Sequence, residues 1–230
     1  MAPRVFVTGG GRGIGRAIAL RFAREGSKVV VAARTSSQLE SVVDEINAAG
    51  GQGLAANMNV ADHGSVEAAV WRAIEFMDNG IDVLVNNAGV FNVKPFSKMR
   101  PADWDFIQEV NLKGPFLVCL EALDYMEDSE KAHVFNISST AGKQGFAGST
   151  AYCASKYGLR GFSDALRLEV AEDDIRVTTV YPPAVDTTIF DGVDVDIPKS
   201  EMLSPERVAD AIYDAYMDPN SPDDLDVGPA

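Results

Sequence analysis

Segments with the patterns of β-strands and α-helices alternate along nearly the whole of this 230-residue chain. Short apolar runs predict strands near 4–8, 28–33, 53–57, 82–86, 132–137 and 176–181, with only a short seventh strand near 225–227. Amphipathic patterns predict helices near 14–25, 36–49, 64–78, 103–126, 151–172 and 204–217. Such alternation is typical of an α/β fold with a parallel sheet. Right-handed crossovers then predict a doubly wound parallel sheet of about six to seven strands flanked by helices.

The length and composition suit one domain, because 230 residues with 46% hydrophobic content can bury a sizeable core. No apolar stretch approaches the roughly 20 residues that a membrane-spanning helix needs. The N-terminus runs directly into the first predicted strand, so we expect no signal peptide. These features predict a cytoplasmic protein without a membrane partner.

The charge of the chain argues against nucleic-acid binding, since the formal net charge is −14 at pH 7. Aspartate outnumbers glutamate and lysine is sparse, a pattern that fits either a halophilic protein or an ordinary acidic one. Two cysteines do not suggest a disulfide framework. The two histidines lack metal-ligand spacing, so no metal site is predicted.

A glycine-rich turn joins the first predicted strand to the first predicted helix. The run TGGGRGIG occupies positions 8–15, and Ile14, Ile18 and Phe22 then form one helical stripe. Glycines without β-carbons allow a tight turn and let a pyrophosphate approach a helix N-terminus. Strand, turn and helix in this order predict a dinucleotide-binding site.

A Tyr-x-x-x-Lys pair lies in the predicted helix 151–172. Tyr152 and Lys156 share one helical face, and Ser139 lies thirteen residues upstream of the tyrosine. An adjacent ammonium is expected to lower the pKa of a phenol from about 10 toward neutrality, where it acts as a general acid or base. A lone pair of this kind is more often a half-exposed helix face, so its meaning depends on the other motifs.

Three motifs belong together: the glycines at 9, 13 and 15, the sequence Asn-Asn-Ala-Gly at 86–89, and the set of Ser139, Tyr152 and Lys156. In combination they resemble the short-chain dehydrogenase/reductase family. The glycine spacing is that of its ordinary, non-extended branch. The resemblance covers nearly the whole chain and implies a single Rossmann domain. It implies a cofactor-binding half over 1–110 and a catalytic and substrate-binding half over 111–230.

The resemblance also implies the catalytic roles. Tyr152 donates a proton to the substrate oxygen, and Lys156 holds the nicotinamide ribose and lowers the pKa of the tyrosine. Ser139 hydrogen-bonds the substrate oxygen, with Ser138 as the rival candidate. Asn111 falls at the family's fourth catalytic position, where it is expected to disturb the long helix and to hold a water leading toward Lys156.

The end of the second predicted strand bears on the choice of cofactor. No acidic residue stands there to bind the ribose hydroxyls, as an NAD site would require. Instead, Arg34 follows the strand, and Arg12 lies in the glycine turn, so both are expected to flank a 2′-phosphate. The alternative is that both arginines are solvated surface residues. The prediction is NADP(H), preferred over NAD(H).

Two positions depart from the family's cofactor site. Asn59 stands where an aspartate commonly binds the adenine amino group, and Pro183 replaces a glycine in the nicotinamide-contacting loop. The amide oxygen of Asn59 can still accept a hydrogen bond. The positions that match the family's cofactor site are Gly9, Gly11, Arg12, Gly13, Ile14, Gly15, Arg34, Asn59, Val60, Asn87, Ala88, Gly89, Tyr152, Lys156, Pro182, Val185 and Thr187.

Substrate contacts are expected from three segments, at 90–93, 144–146 and 186–202. The predicted contact residues are Val90, Gln144, Phe146 and Phe190. The last segment is rich in proline and aspartate and is predicted to be a mobile lid. It contains no arginine, which disfavours a strongly anionic substrate, although Lys94, Lys98, Lys143 and Lys199 are available as cations.

The leading hypothesis is an NADP(H)-dependent oxidoreductase that interconverts a small-molecule carbonyl and an alcohol by hydride transfer. One alternative is a 3-ketoacyl-thioester reductase, for which this acidic chain shows no basic docking patch. Another is a non-catalytic NADP(H)-binding sensor, although such proteins tend to lose the tyrosine or the lysine. The family commonly assembles through the helix that bears Tyr152 and the helix before it, so a homodimer or homotetramer is expected.

Overall fold

The computed structural model describes residues 2–193 and 197–228. The strands are β1 Arg4–Thr8, β2 Lys28–Ala33, β3 Gln52–Asn57, β4 Val83–Asn86, β5 His133–Ile137, β6 Arg176–Tyr181 and β7 Asp224–Asp226. The α-helices are α1 Gly13–Ala23, α2 Ser36–Ala48, α3 His63–Phe76, α4 Pro101–Gln108, α5 Gly114–Ala122, α6 Thr150–Glu169 and α7 Pro205–Met217. The predicted strands agree with these bounds to within one residue.

All seven strands are parallel and follow the order β3-β2-β1-β4-β5-β6-β7. The direction of winding reverses between β1 and β4, because the chain runs outward from β1 to β3 and then returns to pair β4 with β1. A crevice opens at the carboxyl ends of the strands at such a switch point. The prediction of a doubly wound Rossmann sheet is therefore confirmed.

The core lies on both faces of the sheet because successive side chains of a strand point to opposite faces. In β1, Val5 and Val7 pack in the cluster that contains α1, α2 and α7. Phe6, between them, packs in the cluster that contains α3, α5 and residues of α6. None of these three side chains is exposed to solvent. Burial on both faces explains why the strands read as apolar runs rather than alternating patterns.

The single helix predicted near 103–126 is wrong in detail. The structure divides it into α4 and α5, which are joined by a π-helical turn at Glu109–Lys113. Asn111 lies in this turn, as expected of a residue that disturbs the helix. Pro115 follows in the first turn of α5 and lacks the N–H that would continue the hydrogen bonding of the preceding π turn.

Of the helices that the structure describes, none combines the length and apolar character needed to cross a bilayer. Within the same residues, no three His, Cys, Asp or Glu side chains gather as a set of metal ligands. Cys119 is buried and Cys153 is half-buried, and both are free thiols. Burial raises the pKa of the Cys119 thiol to about 12, so this cysteine behaves as an apolar core residue.

Candidate active site

A cleft of about 580 Å³ lies at the carboxyl ends of β1, β4 and β5 and extends beneath the segment that follows β6. Such a volume is typical of a small-molecule or cofactor site. Of the predicted catalytic residues, Ser139, Tyr152 and Lys156 line it. The predicted cofactor positions that line it are Gly9, Gly11, Arg12, Gly13, Ile14, Arg34, Asn59, Val60, Asn87, Ala88, Gly89, Tyr152, Lys156, Pro182, Val185 and Thr187.

The glycine turn has a backbone that only glycine adopts readily. Gly9 and Gly13 have φ of +65° and +53°, in the left-handed region. A β-carbon on Gly9 would lie 2.9 Å from the Ala88 Cα, and one on Gly13 would lie 3.0 Å from the Thr187 Cγ2. The backbone of the turn therefore packs directly against Ala88 and Thr187, which also line the cleft. A larger residue at either position would strain the turn.

Gly15 differs from Gly9, Gly11 and Gly13, since it does not line the cleft. A β-carbon there would lie 2.4 Å from the carbonyl oxygen of Gly9. The predicted contact of Gly15 with the cofactor therefore stays a prediction. Its place is a packing contact that lets α1 approach the end of β1, and any larger side chain would push the two apart.

The N-terminus of α1 provides hydrogen-bond donors at the cleft. Gly13 and Ile14 line the cleft, and Arg12, at the N-cap, makes no side-chain cap. The first turn of a helix leaves N–H groups without intrahelical partners, and it carries a partial positive charge. No acidic residue lies in this first turn to neutralise that charge. The turn therefore fits the pyrophosphate of a dinucleotide.

The loops after β1 and β4 are tied together by hydrogen bonds. The Thr8 hydroxyl accepts from the backbone N–H groups of Asn87 and Ala88, both at 3.0 Å. The Asn87 amide donates to the carbonyl oxygens of Thr8 and Gly9, at 2.9 and 3.2 Å. Thr8 was not among the predicted site residues, although a polar residue at the end of an apolar strand was a usable signal. This network fixes the shape of the switch point.

The centre of the sheet contains a second polar network below the cleft. Asn86 and Asn136 pair across β4 and β5, and the Asn86 amide donates to the Asn136 oxygen at 2.9 Å. Asn136 in turn donates to the Ser163 hydroxyl of α6, also at 2.9 Å. The three side chains are buried. Because buried polar groups need partners, this network holds α6 at one position relative to β4 and β5.

Helix α6 brings Tyr152 and Lys156 to the cleft one helical turn apart. Desolvation raises the pKa of Tyr152 to about 12, opposed by a polar interaction with the Ser139 side chain. Desolvation lowers the pKa of Lys156 to about 8. The Lys156 ammonium donates to the Ile137 carbonyl at 2.7 Å and lies 5.7 Å from the centre of the tyrosine ring.

The prediction that Lys156 lowers the pKa of Tyr152 toward neutrality is wrong for this structure. Burial is the larger effect on the phenol, and Lys156 is not among the charges that shift its pKa. The ammonium is itself disfavoured by burial. It has three donor positions, and its one hydrogen bond to the described residues leaves donors for ribose hydroxyls.

The two adjacent serines at the end of β5 have different surroundings. The Ser138 hydroxyl is buried and donates to the Lys156 carbonyl at 3.2 Å. The Ser139 hydroxyl accepts from the Ala141 N–H at 3.1 Å, which leaves its own proton available. Ser139 also interacts with Tyr152. This arrangement favours Ser139 over Ser138 as the residue that meets a substrate oxygen.

Asn111 lies behind the cleft rather than on its wall. Its side chain accepts from the Val90 N–H at 2.8 Å and donates to the Val90 carbonyl at 2.9 Å and the Ser155 hydroxyl at 3.1 Å. It therefore fixes the loop after β4 against α6. A β-carbon on Gly89 would lie 3.5 Å from the Asn111 oxygen and 3.9 Å from the Lys156 ammonium. The predicted water between Asn111 and Lys156 stays a prediction.

The two arginines predicted to read a 2′-phosphate both line the cleft, and both are exposed. Neither guanidinium forms an ion pair within residues 2–193 and 197–228. Gln38 lines the same end of the cleft and was not predicted. Asn59 lines the cleft too, and its amide oxygen accepts from the Ala61 N–H at 3.3 Å. One lone pair of that oxygen remains for a further donor.

The loop that contains Pro183 is anchored to the segment before α7. The Leu203 N–H donates to the Ala184 carbonyl, and the Asp186 N–H donates to the Leu203 carbonyl, both at 2.9 Å. Neither bond uses the N–H of Val185, which lines the cleft. Pro183 therefore leaves this donor in place. The loop is defined by tertiary hydrogen bonds rather than by a glycine.

Of the predicted substrate residues, Val90, Phe146 and Phe190 line the cleft. Gln144 does not line it and is exposed, so its predicted contact with the substrate stays a prediction. The loop after β5 turns at Thr140–Gly142 and carries the amide side chain outside the cleft. In the predicted lid, positions 194–196 lie outside the described residues.

The profile of the short chain dehydrogenase family matches residues 3–196. The sepiapterin reductase of Chlorobaculum tepidum is 34% identical over 223 residues, covering 94% of this chain and 91% of that protein. The match to the family profile extends across the glycine turn and all the cleft-lining residues except Ile197.

Two solved structures are also similar. A metagenomic short-chain oxidoreductase in complex with NADP has a TM-score of 0.82 and 32% identity, over 97% of this chain and 95% of the other. The 3-ketoacyl-(acyl-carrier-protein) reductase of Brucella melitensis, complexed with NADH, has a TM-score of 0.88 and 28% identity, over 97% and 95% of the two chains.

Proposed function

This chain belongs to the short-chain dehydrogenase family, and from that premise we propose that it reduces a small-molecule carbonyl to an alcohol with NADPH. It is an oxidoreductase that uses a nicotinamide cofactor. The observation that carries the proposal is that one cleft joins the glycine turn to Ser139, Tyr152 and Lys156. A dinucleotide site and an acid–base group thus share a single cavity.

In the proposed reaction, the Ser139 hydroxyl donates a hydrogen bond to the substrate carbonyl oxygen and stabilises the charge that develops there. Tyr152 transfers its proton to that oxygen. The raised pKa of Tyr152, about 12, keeps the phenol protonated at neutral pH, which is the form that reduction needs. A reduced nicotinamide, when bound, would supply the hydride to the carbonyl carbon and be oxidised in turn. Lys156 holds the ribose hydroxyls, and Asn111 holds Val90 in the loop after β4.

The preference for NADP(H) is supported by the two arginines at the adenosine end of the cleft. Arg12 and Arg34 both line it and make no ion pair in the described part of the chain. A 2′-phosphate between two guanidinium groups gains charge-assisted hydrogen bonds that an NAD ribose does not offer. The solved relative that holds NADP fits this preference.

A 3-ketoacyl-thioester reductase is the second candidate. The similarity to the Brucella melitensis enzyme favours it. The net charge of −14 opposes it, because an acyl carrier protein or a coenzyme A phosphate is itself acidic. The same charge motivates the halophile hypothesis, which predicts higher activity in molar salt than in dilute buffer.

A homodimer or homotetramer is proposed from apolar side chains on α4, α5 and α6. Phe106, Phe116, Leu120, Tyr157 and Leu168 are all exposed, and Leu168 is 80% exposed. Exposed apolar residues on neighbouring helices are typical of an interface between subunits. Sedimentation velocity on the purified protein would test this, and a concentration-independent monomer would contradict it.

The proposed function is tested by measuring oxidation of NADPH and NADH with a panel of aldehydes, ketones, keto acids and acetoacetyl-CoA. We expect turnover with NADPH on one class of carbonyl compound. The Tyr152→Phe variant should bind NADPH with nearly unchanged affinity but lose at least about a thousandfold in kcat, because the proton donor is missing. Retention of most of the turnover by this variant would contradict the assigned role of Tyr152.

A further inference from the structure

The substrate end of the cleft is almost entirely apolar. Three segments contribute to it, namely the loop after β4, the loop after β5 and the segment after β6. Their apolar cleft-lining residues are Val90, Phe91, Val93, Phe146, Ala147, Ile189, Phe190 and Ile197. Ser139 and Tyr152, which meet the reacting oxygen, lie near them, together with the hydroxyl side chains of Ser149 and Thr188. The walls therefore select for the apolar part of a substrate.

Three aromatic rings form a contiguous series in this region. The ring centres of Phe91 and Tyr152 are 4.8 Å apart, and the two planes meet at 82°. The centres of Phe91 and Phe190 are 5.5 Å apart, with an angle of 80°. Both contacts have the edge-to-face geometry that aromatic rings prefer. Phe91 thus stands between the catalytic phenol and the lid, directly beside the site of the substrate carbonyl.

Three of the four lysines that lie close in sequence to the substrate segments are engaged by carboxylates. Lys94 pairs with Asp103, and Lys143 pairs with Asp226 at 2.7 Å. In the lid, Lys199 pairs with Asp186 at 3.1 Å. Among the described residues, Lys98 is the cation of this group that makes no ion pair, and it does not line the cleft. A negatively charged substrate would have to displace an existing partner to gain a cation.

We propose that the substrate is an uncharged aldehyde or ketone with an aromatic ring attached to its carbonyl carbon, and that Phe91 and Phe190 select that ring. This proposal rests on the proposed function and names the substrate class of the same site. A flat ring that enters beside Phe91 extends the edge-to-face series, which gains more than the burial of an equally large aliphatic ring. Among the described apolar residues of this wall, a carboxylate, a coenzyme A phosphate or an acidic carrier protein finds no cationic side chain to pair with.

The test compares four carbonyl compounds by kcat/KM with NADPH. Acetophenone and cyclohexyl methyl ketone differ in aromaticity but are similar in size. 4-Acetylbenzoate adds a negative charge to the aromatic ring, and acetoacetyl-CoA represents the thioester class. We expect acetophenone to exceed both anionic compounds at least about tenfold, because Lys94, Lys143 and Lys199 are already paired and Lys98 does not line the cleft.

The Phe91→Leu variant separates aromatic selection from general hydrophobicity. It should lower kcat/KM for acetophenone by a factor of roughly 2 to 12, the usual worth of one aromatic pair. The value for cyclohexyl methyl ketone should change by less than about twofold. The matched control is Phe96→Leu, since Phe96 is 74% exposed and does not line the cleft. Phe190→Leu provides the second variant if Phe91→Leu does not fold.

The outcomes distinguish this proposal from the proposed function. If an anionic compound is reduced as well as acetophenone, or if the ratio of the two neutral ketones is the same in wild type and both variants, the substrate proposal is wrong. Turnover of the aliphatic ketone would then still support a carbonyl reductase. If wild type reduces no carbonyl compound with either cofactor, the proposed function fails, and the substrate proposal fails with it.

Discussion

Replacing Lys156 with methionine should make the cofactor-free protein more stable while it destroys activity. Lys156 is 5% exposed, and its one hydrogen bond to the described residues goes to the Ile137 carbonyl. Burial lowers the pKa of the ammonium from 10.5 to about 8. At pH 7 the native state must hold this charge in a desolvated position, which the unfolded state avoids.

The magnitude follows from the pKa. A difference of roughly 2.5 units corresponds to about 3 kcal/mol, and loss of the hydrogen bond to Ile137 removes about 1 kcal/mol. Methionine has a similar length and no charge, so we expect the Lys156→Met variant to be more stable by about 2 kcal/mol at pH 7. Cofactor binding should nevertheless weaken, because the donors to the ribose are gone.

The pH dependence of the stability difference between Lys156→Met and wild type decides whether burial of the charge is the cause. Because the native pKa lies below the unfolded one, the unfolded state binds more protons between about pH 8 and 10.5. The contribution of Lys156 to the free energy of unfolding of the wild type therefore rises with pH across that window. The same contribution is lost as the pH falls through 8. The advantage of Lys156→Met should shrink by about 2 kcal/mol between pH 7 and pH 10.

Urea unfolding at 25 °C, followed by circular dichroism at pH 7 and pH 10, measures both effects. The control is Lys131→Met, since Lys131 is exposed, and its stability should stay within about 0.5 kcal/mol of wild type at pH 7. A less stable Lys156→Met protein at pH 7, or a difference from wild type that does not change with pH, would refute the reasoning from burial.

Two further measurements address the cofactor and the core. Arg34→Ala should weaken NADPH binding roughly 10- to 100-fold and leave NADH binding nearly unchanged. The control variant Arg24→Ala should change the affinity for neither cofactor. Equal losses of affinity for both cofactors in Arg34→Ala would exclude phosphate recognition by Arg34. Burial and the charge of Arg176 lower the pKa of His133 well below 6.5, so the folded state holds this histidine neutral. The free energy of unfolding should therefore fall as the pH drops below about 6.5, where the unfolded chain binds the proton first. His133→Leu should reduce that loss of stability between pH 7 and pH 5, and an unchanged pH profile would argue against it.

The sequence predicted the central strands well because β1, β2, β4, β5 and β6 are buried on both faces of a parallel sheet. Burial of both faces demands a continuous apolar run, as in β1 and β2, and a run of this kind is visible without any tertiary information. The glycine turn was equally readable, since positive φ at Gly9 and Gly13 is a local requirement of the backbone. Helix 103–126 was not, because the π turn at Asn111 depends on bonds to Val90 and Ser155.

The sequence by itself thus determined the α/β architecture and the order of its elements, because those follow from local periodicity and chirality. The residues expected at the switch point followed from the resemblance of the motifs to a known family. Only the tertiary structure decided how each site residue is placed. Gly15 proved to be a packing contact with Gly9, and Gln144 lies outside the cleft. The pKa of Tyr152 and its contact with Phe91 depend on desolvation and on residues far apart in the chain. Burial and distance are properties of the folded molecule, and no pattern of neighbouring residues encodes them.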